Sequence, residues 1–130
     1  MKCYVGGKML TVARGVRARQ LLAKALGANP YTVPAQAHHL FPVELFGTQI
    51  GKKLVEWGIN LNGKENGVWL PAKDYLGRVA AIHRGRPLAS YAEEVTRRFG
   101  RATNRDEALE ILEELRSELL LGKLNINSAK

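Results

Sequence analysis

Apolar positions recur along the chain in short blocks, each closed by a glycine or a proline. Residues 13–27, ARGVRARQLLAKALG, place Val16, Leu21, Leu22 and Leu26 on one helical face. Arg14, Arg17, Arg19 and Lys24 lie elsewhere on that helix, and Gly27 stops it. Residues 43–57, VELFGTQIGKKLVEW, predict a second helix with Leu45, Ile50, Leu54 and Trp57 turned inward and Gly58 at its end. LASYAEEVTRRF, 88–99, predicts a third, stopped by Gly100. The last helix, about 105–121, opens on Asn104-Arg105-Asp106-Glu107, a capping-box pattern in which Asn104 caps and Glu107 reaches back. Leu109, Ile111, Leu112, Leu115, Leu119 and Leu120 give it a wide apolar face that must be covered.

Extended chain is scarce. Residues 1–12 alternate weakly and predict a short strand or an arm. Residues 28–37 read as a loop broken by Pro30 and Pro34, and a short extended stretch then carries His38 and His39 up to Pro42. Val68, Trp69 and Leu70 predict a strand ended by Pro71, and the pairs Asn62-Gly63 and Asn66-Gly67 ahead of it are hairpin-turn signals. Residues 74–83 read as partly helical, and Gly85 and Pro87 interrupt the chain just after them. The class is mainly α with a small β-hairpin. At 130 residues the chain has the size of a single domain, 1–130.

Charge narrows the partners. The net charge is +8, and six of the twelve acids fall between Asp106 and Glu118. Residues 1–103 therefore hold 16 basic and 6 acidic side chains, a surplus that suits a polyanion, nucleic acid being the commonest. The same surplus would also simply keep a small domain soluble and monomeric. No apolar run approaches the roughly 18 residues of a membrane span, so no membrane partner is expected. The N-terminus has no apolar stretch of the signal-peptide kind. The single cysteine, Cys3, rules out an internal disulfide.

The chain has three histidines, and two of them are adjacent. Neighbours on extended chain point to opposite faces. One imidazole can then hold a metal while the other takes a proton from an attacking water, a division of labour that suits metal-assisted hydrolysis. The pair would need a further ligand from elsewhere, and His83 is the remaining histidine. Taken alone, two adjacent histidines more often cap or hydrogen-bond a loop, here near Pro42.

The order of the segments carries more than any one of them. AHHLFP (37–42), GINLN (58–62), NGVWLP (66–71), IHRG (82–85) and SYAEEV (90–95) follow one another in a way that resembles the AHH nucleases, a branch of the HNH/endonuclease VII superfamily. The resemblance runs from about residue 14 to about 99. It implies a ββα-metal core, about 36–99, surrounded by helices, and a divalent metal ion. His38 and His83 would be metal ligands and His39 the general base. Asn66 would hold the base histidine and its loop. Tyr91 matches a tyrosine of the family and would pack or contact phosphate.

The chain departs from the family's His-x-Gly-x-His segment, having Arg86-Pro87 where the second histidine belongs. Two histidines, water and substrate phosphate would then hold the ion, favouring Mg²⁺ or Mn²⁺ over Zn²⁺ or Ni²⁺. Asn60, Asn62 or Asp74 could add an oxygen. Alternatively Arg86 binds the scissile phosphate directly. Arg14, Arg17, Arg19, Lys52, Lys53, Arg84 and Arg86 are candidate phosphate contacts, which bind without reading sequence. With no recognition-helix signature beside them, these contacts predict an endonuclease of low sequence specificity, for which DNA is expected ahead of RNA. The resemblance further implies an antibacterial toxin module of a polymorphic toxin system, with an acidic immunity protein as partner. Such a module would work in the cytoplasm of a target bacterium after delivery by a secretion system. The alternative is a catalytically inactive relative that binds nucleic acid or a protein partner.

Overall fold

A computed structural model describes residues 2–5, 8–11, 13, 15–72 and 89–124. The expected short strand or arm at the N-terminus is two strands, β1 (Lys2–Val5) and β2 (Lys8–Thr11), paired antiparallel with Lys2 opposite Thr11. Helix α1 (Gly15–Leu26) comes next. Val16, expected in its apolar face, is 60% exposed, and the buried positions are Ala18 and Leu22. Gly27 closes the helix with a φ of 88°, a conformation that costs glycine little.

Strand β3 (Ala35–His39) carries the histidine pair. The helix expected over 43–57 is divided in two. A single 3-10 turn, Val43–Leu45, comes first, and α2 (Gln49–Glu56) begins afresh at Thr48. The Thr48 hydroxyl accepts from the Gly51 N–H at 3.1 Å, capping the new helix. The break brings the first turn of α2 against the Leu45 carbonyl, where a Cβ on Gly51 would lie 2.3 Å from that oxygen.

Neither Asn-Gly pair makes the tight hairpin turn that the sequence signals. Gly63 and Gly67 have φ of −102° and −132°, outside the left-handed region. A 3-10 turn at Lys64–Asn66 leads instead into β4 (Gly67–Pro71), which pairs antiparallel with β3, His39 opposite Gly67 and Ala35 opposite Pro71. The hairpin is thus closed by a long connection, residues 40–66, in place of a two-residue turn. Helices α3 (Ala89–Phe99) and α4 (Arg105–Leu120) complete the described chain. Asn104 caps α4 by accepting from the Glu107 N–H at 2.9 Å. The Glu107 carboxylate reaches back one residue further than expected, to the Thr103 N–H and hydroxyl, both at 2.7 Å.

The pleat of the β3–β4 hairpin gives it two unlike faces. On one, Val68 and Leu70 join Leu40, Tyr91, Val95, Phe99, Leu112 and Leu115 in the core. The apolar face of α4 is therefore covered by this chain itself, except for Leu120, which is 39% exposed. On the other face α1 packs across both strands. Its Leu22 lies so close that a Cβ on Gly67 would come within 2.6 Å of Leu22 Cδ1, which is why glycine stands there. The fold class is mainly helical around a small hairpin, and β3, β4 and α3 make the ββα unit that the resemblance implies.

Candidate active site

His38 and His39 end β3 and take opposite sides of it, as adjacent residues on extended chain must. His38 turns into the core and is 1% exposed. Its Nε2 lies 3.0 Å from the Tyr91 hydroxyl, and that hydroxyl donates to the Leu40 carbonyl at 2.8 Å. With its one proton directed at Leu40, Tyr91 accepts from His38, so the network places a proton on His38 Nε2. The rings meet edge to face, with centroids 5.2 Å apart. Burial pushes the Tyr91 hydroxyl well above its ordinary value, so it remains a protonated partner. Tyr91 thus packs in the core, one of the two roles expected of it, and also anchors His38 by a hydrogen bond.

His39 faces the other way and is half-buried. Its Nε2 donates to Asn62 Oδ1 at 2.8 Å. The orientation of the Asn62 amide is fixed because its Nδ2 donates to the Ala13 carbonyl at 3.1 Å. The lone pair of His39 is therefore on Nδ1. Burial holds this imidazole below its ordinary value, and the charge of Arg19 lowers it further. The Asn62 hydrogen bond and Glu44 act in the opposite direction. The net lowering keeps the ring neutral at pH 7, the form in which it can accept a proton.

Asn66 is fully buried and its side chain is spent on backbone. Oδ1 accepts from the Phe41 N–H at 2.7 Å, and Nδ2 donates to the Phe41 and Leu61 carbonyls, both at 2.9 Å. It locks the chain that leaves the histidine pair. Holding His39 itself, the other role expected of Asn66, falls to Asn62. The catalytic role expected of Asn66 is therefore that of a positioning residue, because its saturated amide has no side facing the reacting atoms. The oxygens of Asn60 and Asn62, considered as metal donors, are committed elsewhere: Asn60 Oδ1 accepts from the Asn62 N–H at 3.0 Å and Asn62 Oδ1 from His39.

His83, Arg84, Arg86 and Asp74 lie outside the described residues, as do Arg14 and the helical reading of 74–83. Lys52 and Lys53 sit on α2, the first half-buried and the second exposed. Among the described residues the charges that act on His39 are Arg19 and Glu44, and neither lysine is one of them. No group of three His, Cys, Asp or Glu side chains assembles among the described residues, so within them the donor set for a metal ion is incomplete. Of the two histidines expected as metal ligands, His38 is the one that lies among these residues.

One residue of the site had a sequence signal that pointed elsewhere. Asn62 sits in an Asn-Gly pair, which reads as a turn, and its oxygen reads as a possible metal donor, whereas it accepts from His39.

A strand-borne histidine pair, an asparagine-held imidazole and a hairpin backed by a helix are together the frame of a ββα nuclease. The chain belongs to the AHH nucleases, a family of the HNH/ENDO VII superfamily with conserved AHH, whose family model matches residues 21–125. No curated protein and no solved structure matches the chain. Membership makes nucleic acid the substrate class. Nucleases of this superfamily generally use a divalent metal ion. Among the described residues no helix is long and apolar enough to cross a membrane.

Proposed function

We propose that this protein is a metal-dependent endonuclease that hydrolyses phosphodiester bonds in DNA with little regard to sequence. The observation that carries this reading is the His39–Asn62 pair. It sets a neutral imidazole with its Nδ1 lone pair on the face of the hairpin away from the core. In the reaction Nδ1 takes a proton from a water molecule as the water oxygen attacks phosphorus. The bond from phosphorus to the leaving sugar oxygen breaks, and that oxygen gains a proton from solvent. The products are one phosphomonoester end and one hydroxyl end. His39 then returns its proton to solvent.

A divalent ion, Mg²⁺ or Mn²⁺ in preference to Zn²⁺ or Ni²⁺, would be held by His38 and His83 and would supply charge stabilisation at the phosphate and leaving oxygen. Tyr91 holds the His38 ring in place by accepting from its Nε2. The residues expected at the phosphates are Arg84, Arg86, Lys52 and Lys53, which favours contact with the backbone over reading of base edges. An antibacterial toxin role, delivery into the cytoplasm of a target bacterium and an acidic immunity protein complete the proposal. The basic surplus of residues 1–103 is what an acidic inhibitor would cover.

The test is incubation of purified protein with supercoiled plasmid and, separately, with structured RNA, in each of the four metals and in EDTA. Metal-dependent nicking of plasmid with slower or no attack on RNA is expected. A salt-sensitive gel shift with no cleavage of either substrate in any metal would overturn the enzymatic reading and leave a nucleic-acid-binding relative.

A further inference from the structure

Helix α1 is tied to the His39 side of the hairpin by packing and by a hydrogen-bonded link. Ala18 and Leu22 are fully buried on its inner face. Leu22 rests on Gly67, the cross-strand neighbour of His39. Asn62 joins the chain just ahead of the helix to the imidazole itself, accepting from His39 and donating to the Ala13 carbonyl. The start of α1 is therefore fixed relative to His39 by hydrogen bonds as well as by packing. Arg19 comes directly after the buried Ala18, one turn ahead of the Leu22 that rests on Gly67, and is exposed.

We propose that Arg19 is a substrate-contacting residue, its guanidinium gripping the phosphate that is attacked beside His39. The inference rests on the nuclease reading and adds a residue to it. As water attacks, negative charge grows on the non-bridging phosphate oxygens. A guanidinium can donate to two of them at once, in a geometry that a lysine ammonium does not match. Bound substrate excludes water from the contact and strengthens it. Arg17, Gln20 and Lys24 are also exposed, but their spacing of three and four residues puts them on a separate stripe of α1.

The experiment is single-turnover cleavage of a short duplex at saturating protein, with wild type, Arg19→Gln, Arg19→Lys and Lys24→Gln compared. Far-ultraviolet circular dichroism checks that each variant keeps its helices. Arg19→Gln is expected to slow the saturated rate by roughly tenfold to a hundredfold, the range for losing one transition-state donor. Arg19→Lys should recover part of the loss. Lys24→Gln should weaken binding at high salt and leave the saturated rate within twofold of wild type. A general loss of positive charge would move Arg19→Gln and Lys24→Gln alike, and that result overturns the assignment. So does an Arg19→Gln rate within twofold of an active wild type. A wild type inert on every nucleic acid overturns the nuclease reading, and the assignment of Arg19 with it.

Discussion

His39 donates to Asn62 at 2.8 Å, and the same Asn62 amide donates to the Ala13 carbonyl at 3.1 Å. One side chain thus fixes the tautomer of the imidazole, its orientation, and the position of the helix that begins just beyond Ala13. Replacing Asn62 with alanine frees all three. Asn62→Ala is expected to lower single-turnover cleavage by roughly tenfold or more, as misplacement of a reacting group does. Duplex affinity measured by anisotropy should change by less than threefold. Cleavage equal to wild type would remove Asn62 from the site.

Asn66 makes a different kind of contribution. Its side chain satisfies Phe41 N–H, Phe41 C=O and Leu61 C=O inside the core, and Asn66→Ala leaves those groups without partners. Buried unsatisfied groups cost about 1–3 kcal/mol each. Asn66→Ala should therefore lower the urea midpoint substantially, by the equivalent of about 2–4 kcal/mol after relaxation. A midpoint unchanged from wild type would contradict the buried network.

Gly67 and Leu22 should be coupled. A methyl group at 67 meets Leu22 Cδ1 at 2.6 Å, and Leu22 is fully buried. Gly67→Ala is expected to destabilise the protein by about 1–3 kcal/mol through overpacking. Combined with Leu22→Ala, the added methyl should cost much less, because the space has been made. A double-mutant cycle with additive terms would argue against this contact.

Acid sensitivity should concentrate between α3 and α4. Arg98 donates to Glu118 at 2.6 and 2.8 Å and to Glu94 at 2.7 Å. Hydrogen bonds from Arg97 and Arg98 hold the Glu94 carboxyl at about 2, and Arg98 also holds Glu118 below its ordinary range. Both folded-state values lie below the unfolded one. The stabilisation is thus complete above about pH 4.5 and fades as pH falls toward 2. Wild type should lose urea resistance between pH 5 and pH 2.5 more steeply than Arg98→Met. Parallel pH dependence in the two proteins would show that the network contributes nothing to acid stability.

Much of this was legible in the sequence, for identifiable physical reasons. The helices declare themselves through apolar periodicity and through Asn104, whose cap needs only local chain. The histidine pair and Asn66 stand in a spaced series of motifs. What stayed hidden depends on distant contacts. Val16 fits the helical face by periodicity, yet the hairpin meets α1 at Ala18 and Leu22 and leaves Val16 exposed. The Asn-Gly pairs imitate hairpin turns, but tertiary demands decide their use: Asn62 for His39, Asn66 for the Phe41 loop, Gly67 for clearance under Leu22. Tyr91 lies 53 residues from His38, so only the packed fold reveals that it sets the proton on His38.

The most direct measurement is plasmid cleavage by His39→Ala beside wild type, in the best metal and in EDTA. Circular dichroism and anisotropy confirm that the variant folds and still binds DNA. The expected result is metal-dependent nicking and linearisation by wild type, and a loss of about 10²–10⁴-fold in His39→Ala, the range of a general base. Cleavage by His39→Ala at the wild-type rate would contradict the assignment of His39 as the base on which the proposed chemistry rests.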